Sequence, residues 1–434
     1  MRLRASAWLA LSSLLAASAI GATRPRYGGT LSVELSTPWT SLDPADRHGP
    51  ISPAIAETLV RLNSRGQIEP LLATAWRLNG KRWTFSLRPK VVFHDGEPLN
   101  AANAAPALLA ALKRTHGDVS VLAGGQTLVV QSESAIPDLL LELAAPRTAI
   151  FRKSDTNPLI GTGPFRVAAW EPGRRLSLAA FDDYWGGRPY LDAVNISFGA
   201  GRVRADIFDI PSGPGRRILP EGTAIWSSAP RKLVALLGAN ALPPLMQALA
   251  VAIDRSPIVN VLAQKRGEPA FGLLPQWLSG YAFLFQAPPE LSRARQMAAP
   301  LRPGTLSVSY PPDDVFLRSV AERVALNARD AGMNIQPATS SNGNLSLVEW
   351  QLESRDAVSE LARLAGLLGM ADRAGALDAS KPDSLYQTER ALLDEHRVIP
   401  IIDLPDTYGV APRVHQVPKS GSFSLPLEDL WVEQ

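Results

Sequence analysis

The chain has no cysteine among its 434 residues. This excludes disulfides, thiolate metal sites and a cysteine nucleophile. It also excludes the lipid-modified cysteine of an exported lipoprotein. Histidine is scarce: His48, His94, His116, His396 and His415 are the whole set. No two of them have the helical spacing of a metalloprotease site, so no metal ligands are assigned. Neither charge sign dominates, with 44 Lys+Arg against 41 Asp+Glu. Without Arg2 and Arg4 the balance is 42 to 41, which gives no electrostatic case for nucleic acid. A G-x-S-x-G elbow and a P-loop are both missing. Gly199-Ala200-Gly201 lacks the third glycine of a dinucleotide loop and reads as a turn. Asp182-Asp183 is a carboxylate pair before a turn, where adjacent side chains do not face each other, so a solvated turn outweighs acid–base chemistry. The chain does not read as an enzyme, and no cofactor is expected.

Long apolar runs are also missing, except at the N-terminus. There MRLR precedes an uncharged stretch from Ala5 to Ala22, and Ala17-Ser18-Ala19 offers an A-x-A cleavage pattern. Residues 1–22 therefore read as a cleavable export signal. A membrane anchor is the rival reading, but the run is short for a span and rich in small residues. The expected product is a soluble periplasmic protein. The composition, 46% apolar and 20% charged, suits a folded chain of two or three domains.

Periodicity then supplies elements. TLSVEL alternates as a strand. Pro53 to Leu62 reads as a helix. Trp76 to Leu87 holds two short strands around Asn79-Gly80, a hairpin signal. Asn100 can cap a helix over Ala101–Lys113. Thr127–Gln131 reads as a strand, Pro137–Leu143 as a short helix. In IGTGPFRVAAWEPGRRLSLAAFDDYWGGRPYLD, Gly161 and Gly163 permit close backbone approaches. A hairpin follows, with Phe165, Val167 and Ala169 on one face and Arg166, Ala168 and Trp170 on the other. Beyond residue 240, Leu245–Asp254 is helical, and Ser256-Pro257 opens another helix. Thr305–Tyr310, a helix capped by Asp313 or Asp314 and ended by Gly332, and Met333–Pro337 form a βαβ unit, hence part of a parallel sheet. A strand at Leu345–Trp350, helices near Ala357–Leu368 and Leu385–Glu395, and a buried strand from Val398 complete the pattern.

The order of several motifs resembles the family 5 extracellular solute-binding proteins, which serve ABC importers. GGTLSVEL with SLDPA is similar to the family's opening. EPLLATAW with WTFSLRPKVVFHDGEPLNAANA is similar to its middle signature, and IGTGPFRVAAW and DDYWGGRPYLD to the next two. QALAVAIDRSPIVNVL with GEPAFGLLP is similar to the start of the second lobe. The resemblance implies an α/β, two-lobed periplasmic binding protein fold with a two-strand hinge and an extra subdomain in the first lobe. It places the first lobe at 27–238, with the subdomain near 46–155, a second lobe at 239–404 and a return at 405–434. The crossings are expected near Leu237–Ala241 and Asp403–Tyr408. The GTGPF turn and the YWG stop are implied to be scaffold.

The function implied is capture of a peptide or similar small solute by lobe closure, for inner-membrane ABC permease subunits, by a monomer. A periplasmic receptor that signals by the same closure is the alternative. Three site residues carry over by position. Trp350 falls on a strand-end tryptophan that packs on ligand. Glu353 stands where peptide binders often place an aspartate for the ligand's amino terminus. Arg147 matches an arginine that takes a ligand carboxylate, as the guanidinium fork can. Trp39 and Arg47 flank the LDP loop at the cleft border. Each has a plainer reading: Trp350 as core, Glu353 as a surface charge, Arg147 as partner of a structural carboxylate. After Trp350 the family's glycine and Asp-Pro are missing, and the stretch to VIPII is short. A trimmed second lobe with an altered ligand site is expected.

Overall fold

A computed structural model describes residues 24–44, 51–63, 67–133, 136, 139–199, 205–213, 219–238, 243–301, 304–339, 343–352, 355–374, 377, 383–421 and 425–433. The N-terminal segment read as an export signal lies outside them. One 11-stranded mixed sheet runs through the molecule. Its strands in chain order are β1 (Thr30–Leu35), β2 (Phe165–Glu171), β3 (Arg175–Ala180), β4 (Ala193–Phe198), β5 (Ile207–Asp209), β6 (Ala224–Leu237), β7 (Glu268–Pro269), β8 (Leu306–Ser309), β9 (Ile335–Ala338), β10 (Leu345–Gln351) and β11 (Val398–Val410). Across the sheet the order is β9-β8-β10-β6-β11-β5-β1-β4-β3-β2, with β7 beside β11.

Two lobes share this sheet. In the first, β1 pairs in parallel with β4 and β5, and β2–β3–β4 form an antiparallel meander. The buried faces of Leu31, Val33, Leu176, Leu178, Val194 and Ile196 make its core. In the second, β8 and β9 are parallel and joined by the helix α1 (Val315–Asp330). Phe316, Val320 and Val324, one helical turn apart, face the same core as Leu345 and Leu347. Asp314 caps α1, its side chain accepting from the Leu317 N–H at 2.8 Å. The opposite sheet face of this lobe is covered by Ala357–Leu367 and Ser384–Asp394.

A separate four-stranded antiparallel sheet, in the order 73–79, 82–87, 127–131, 120–124, packs against the helix Ala101–Leu112 and has its own core. Gly80, at φ +62°, turns the expected hairpin. Asn100 and Asn103 cap that helix reciprocally, each side chain accepting from the other's N–H. Asn100→Ala removes one of these bonds, and a loss of about 1 kcal/mol is expected in urea unfolding; no measurable change would show that the cap is idle.

The GTGPF and YWG motifs meet here as scaffold. Gly163 donates to the Ile55 carbonyl at 3.0 Å. A Cβ on Gly161 would lie 2.0 Å from the same oxygen, so glycine is required. Glu57, 4% exposed, accepts from Thr162 (2.8 Å), Tyr184 (2.9 Å) and the Trp185 indole N–H (2.9 Å). Burial raises its carboxyl to about 7 against the pull of those three bonds. The His94 ring accepts from the Gly161 N–H at 3.2 Å and donates to the Gly163 carbonyl at 3.0 Å. Burial lowers this neutral imidazole to about 4.

Three expectations are corrected. The helix over Pro53–Leu62 is only Ser52–Ile55, followed by a strand at Val60–Leu62. Its missing turns lose their acceptors: the Ile55 and Glu57 carbonyls take the N–H groups of Gly163 and Ile150 instead. The helix capped by Ser256 is a π-helical turn, Ile258–Leu262, with no side-chain cap; the Ser256 N–H donates to Asp254 at 2.9 Å. In β2 a bulge between Val167 and Ala169 breaks the alternation. Trp170 thereby joins Val167 against the first-lobe core and meets Phe198 edge-on at 6.1 Å.

Candidate ligand cleft

The lobes are joined where β6 and β11 run side by side. Trp226 and Tyr408 meet at 5.8 Å, their rings tilted by 33°, in the first-lobe core, while Leu233 to Leu236 and Ile399, Ile401, Ile402 and Leu404 pack in the cores of the second. Between them the pairing slips twice around Pro230. The strands thus change core over Ser227–Leu233 and Leu404–Tyr408, and Ala239–Ala241 lies outside the described residues.

Charged groups gather at this changeover. Arg231 and Lys232 share Asp406, at 3.6 Å and 2.9 Å. Asp406 is also fixed by its own N–H, which donates to the Ser228 hydroxyl at 2.9 Å. Burial would push the Asp406 carboxyl up, but Lys232 and Arg231 hold it below the usual range. Burial opposes the Lys232 charge, and Asp406 and Glu349 overcome it, so its ammonium titrates above the ordinary lysine. Glu349, on β10, is exposed to water yet hemmed in by protein. Burial, Asp314 and Asp406 push its carboxyl up, and Lys232 pulls against them. Two further contacts connect the lobes here. Arg355 reaches the Asn63 carbonyl at 3.4 Å, and a Cβ on Gly213 would sit 3.2 Å from that of Phe316.

The residues expected from sequence are dispersed. Trp350 is half-buried at the end of β10, directly opposite Leu233, against the core that includes Leu361 and Leu364. Arg147 lies in the subdomain and bonds Glu142 at 3.0 Å. Glu142 also holds Thr115 at 3.0 Å and the His116 ring at 2.7 Å. Burial raises the Glu142 carboxyl, and His116 and Arg147 more than reverse it. The structural carboxylate weighed against Arg147 is therefore present. Trp39 is 5% exposed, 5.6 Å from Phe198 in the first-lobe core. Glu353 and Arg47 lie outside the described residues. The changeover group of Arg231, Lys232, Asp406 and Glu349 was not singled out. Its available signal was the pair of aspartates inside the apolar run VIPIIDLPD, where a carboxylate needs a partner.

Residues 67–206 match the sequence model of the bacterial extracellular solute-binding proteins, family 5 Middle. The nickel-binding protein NikA of Staphylococcus aureus is 31% identical over 191 residues, 41% of this chain and 39% of that protein. The structure of S. aureus NikA in complex with Ni(L-His)2 superimposes with a TM-score of 0.80 at 19% identity, covering 93% of this chain and all of that one. DppA of Helicobacter pylori in complex with the peptide STSA gives a TM-score of 0.79 at 16% identity, over 94% of this chain and 99% of the other. The HTH-type transcriptional regulator SgrR of Escherichia coli is 30% identical over 191 residues, 41% of this chain and 32% of that protein. The sequence matches thus span well under two thirds of these curated relatives, while the two-lobed binding-protein fold extends over nearly the whole chain.

Proposed function

We propose that the chain is a family 5 bacterial extracellular solute-binding protein, the substrate-binding component of an ABC importer, capturing a peptide or similar small solute between its lobes. The observation that carries this reading is the family match of the middle segment, joined to a two-lobed fold shared with NikA and DppA. The two strands that change core, and the charged groups beside them, support it. Lobes joined by a narrow pair of strands have open and closed states of similar free energy, so a ligand touching both walls shifts the balance. Trp350 is proposed as a ligand contact, and Glu353 and Arg147 as partners for ligand charges. For Arg147 this requires sharing its guanidinium with Glu142. Residues 1–22 are proposed to be removed on export to the periplasm. N-terminal sequencing of the exported protein checks this, and an intact Met1 end would overturn it.

Binding to the native state raises stability, by about 2.7 kcal/mol at a ligand concentration of 100 Kd. A thermal-shift screen of peptides, metal chelates and small solutes is expected to give at least one concentration-dependent stabilisation. A flat response across the library would reject capture. The match to SgrR supports the second reading, a receptor whose closure signals to a partner. Uptake of the screened ligand in a strain lacking the protein distinguishes them: lost uptake supports import, unchanged uptake supports the receptor.

A further inference from the structure

Proline stands against proline where the strands pass between the lobes. Pro230 on β6 is directly opposite Pro405 on β11. Neither has an N–H, so this row gives the ladder no donor. The register slips on both sides of it, between Ser227 and Pro230 and between Pro230 and Lys232. The flanking backbone is fastened. On the first-lobe side, the Ser227 carbonyl accepts from the Gly421 N–H and the Thr407 carbonyl from the Ile210 N–H, both at 2.7 Å. On the second-lobe side, the Arg231 carbonyl accepts from the Leu352 N–H at 2.7 Å. These fastenings leave any turn between the lobes to Ser228–Pro230 and Pro405–Asp406.

Trp277 reaches into this row: its indole N–H donates to the Pro230 carbonyl at 2.6 Å. Trp277 lies on a helical turn, Gln276–Ser279, that is mounted on the second lobe. Leu273 and Leu274 before it are buried in the core with Leu361 and Leu364, and Leu278 packs against that core. Glu389 holds the turn from both ends, accepting from the Leu274 N–H at 3.1 Å and from the Tyr281 hydroxyl at 2.7 Å. The donor is thus fixed to one lobe, and its acceptor sits in the row about which the lobes turn. The pyrrolidine ring fixes φ at Pro230, so a turn there must use ψ, and ψ swings the carbonyl. A hydrogen bond weakens steeply when misaligned. The Trp277–Pro230 bond therefore belongs to one arrangement of the lobes. In that arrangement the lobes touch, Arg355 at the Asn63 carbonyl and Phe316 at Gly213.

We propose that Trp277 is a positioning residue: its indole latches the hinge at Pro230 with the lobes together, and so sets how firmly a captured solute is held. This rests on the solute-capture reading and adds the group that biases closure. One such bond is worth about fivefold in an equilibrium constant. The latch tilts the balance between open and closed forms without freezing it, which leaves the decision to the ligand.

The absence of cysteine lets two spin labels be placed without background. Arg61→Cys and Ser359→Cys put them on either side of the Asn63–Arg355 contact. Double electron–electron resonance on the ligand-free protein then reads the ratio of near to far lobes. Trp277→Phe keeps an apolar ring and removes the N–H; it is expected to lower that ratio about fivefold. Benzothienylalanine at position 277 keeps the indole shape with sulfur in place of the N–H. It should do the same, and it decides the matter if the first variant misfolds. Any solute found in the thermal-shift screen should bind about fivefold more weakly to both variants, mainly through faster release. A ratio within twofold of wild type in both variants overturns the latch. A lower denaturant midpoint without that change would leave Trp277 a packing role only. A solute bound equally by wild type and both variants also overturns it, while solute capture stands. If the ratio falls but nothing in the screen binds, the hinge latch stands and solute capture falls.

Discussion

Asp406→Ala is expected to destabilise the protein by about 3–5 kcal/mol. The side chain compensates Arg231, 5% exposed, and Lys232, 29% exposed, at the junction of the lobes. Deleting one partner leaves cations in a desolvated place, which costs far more than the pair itself contributes. The loss should appear as a lower denaturant midpoint in chemical unfolding at pH 7. The pH dependence has a defined sign. The folded carboxyl lies below its unfolded value, so its contribution is complete above that unfolded value, near 3.8, and disappears as pH falls through the folded one. The gap between wild type and Asp406→Ala should therefore close in acid, below about pH 4. A difference under 1 kcal/mol at pH 7 would show that Arg231 and Lys232 are held by other groups. Because these strands join the lobes, the same variant should also weaken any ligand found in the screen.

Glu57→Ala is expected to cost about 3 kcal/mol or more, through a different mechanism. Three donors, from Thr162, Tyr184 and Trp185, converge on one buried carboxyl. Truncation leaves the indole N–H without an acceptor, and each buried donor left unmade costs about 1–3 kcal/mol. Glu57→Gln keeps an acceptor and should retain most of the stability at pH 5. The carboxyl is raised to about 7 from an ordinary 4.5. Its protonated form is thus favoured by folding, and this contribution is full below pH 4.5 and lost as pH rises through 7. Buried at this position, it amounts to about 3 kcal/mol at most. Glu57→Gln should flatten that decline, leaving the similar one from Glu389, also raised to about 7 by burial. His94 acts in the opposite direction. Lowered by burial to about 4, it withdraws stability as pH falls from 6.5 through 4. A stability profile by urea unfolding from pH 4 to 8 measures both. Identical profiles for wild type and Glu57→Gln would reject the assignment.

Much of the local structure was legible in the chain itself. The capping residues Asn100 and Asp314, the Asn79-Gly80 turn and the strand–helix–strand alternation around Val315–Asp330 depend on neighbours a few residues away, so the sequence carries them directly. The absence of cysteine and the order of motifs such as GTGPF and DDYWGG bounded the class of protein and pointed to its fold. What the sequence could not carry was anything that depends on a distant partner. Ser52–Ile55 stops early because Gly163 and Ile150 take the acceptors its next turns would use. Trp170 changes face because one extra residue is accommodated opposite Ser177. Arg147 meets Glu142 through the folding of a loop onto a helix, which a motif match cannot foresee. Trp350, Leu233, Asp403 and Glu268 stand opposite one another on four strands that are up to 170 residues apart in the chain, and only pairing register brings them together. Short-range hydrogen bonds and apolar periodicity are written locally; the charge environment of a cleft is a sum over distant groups, and tertiary packing alone decides which of them meet.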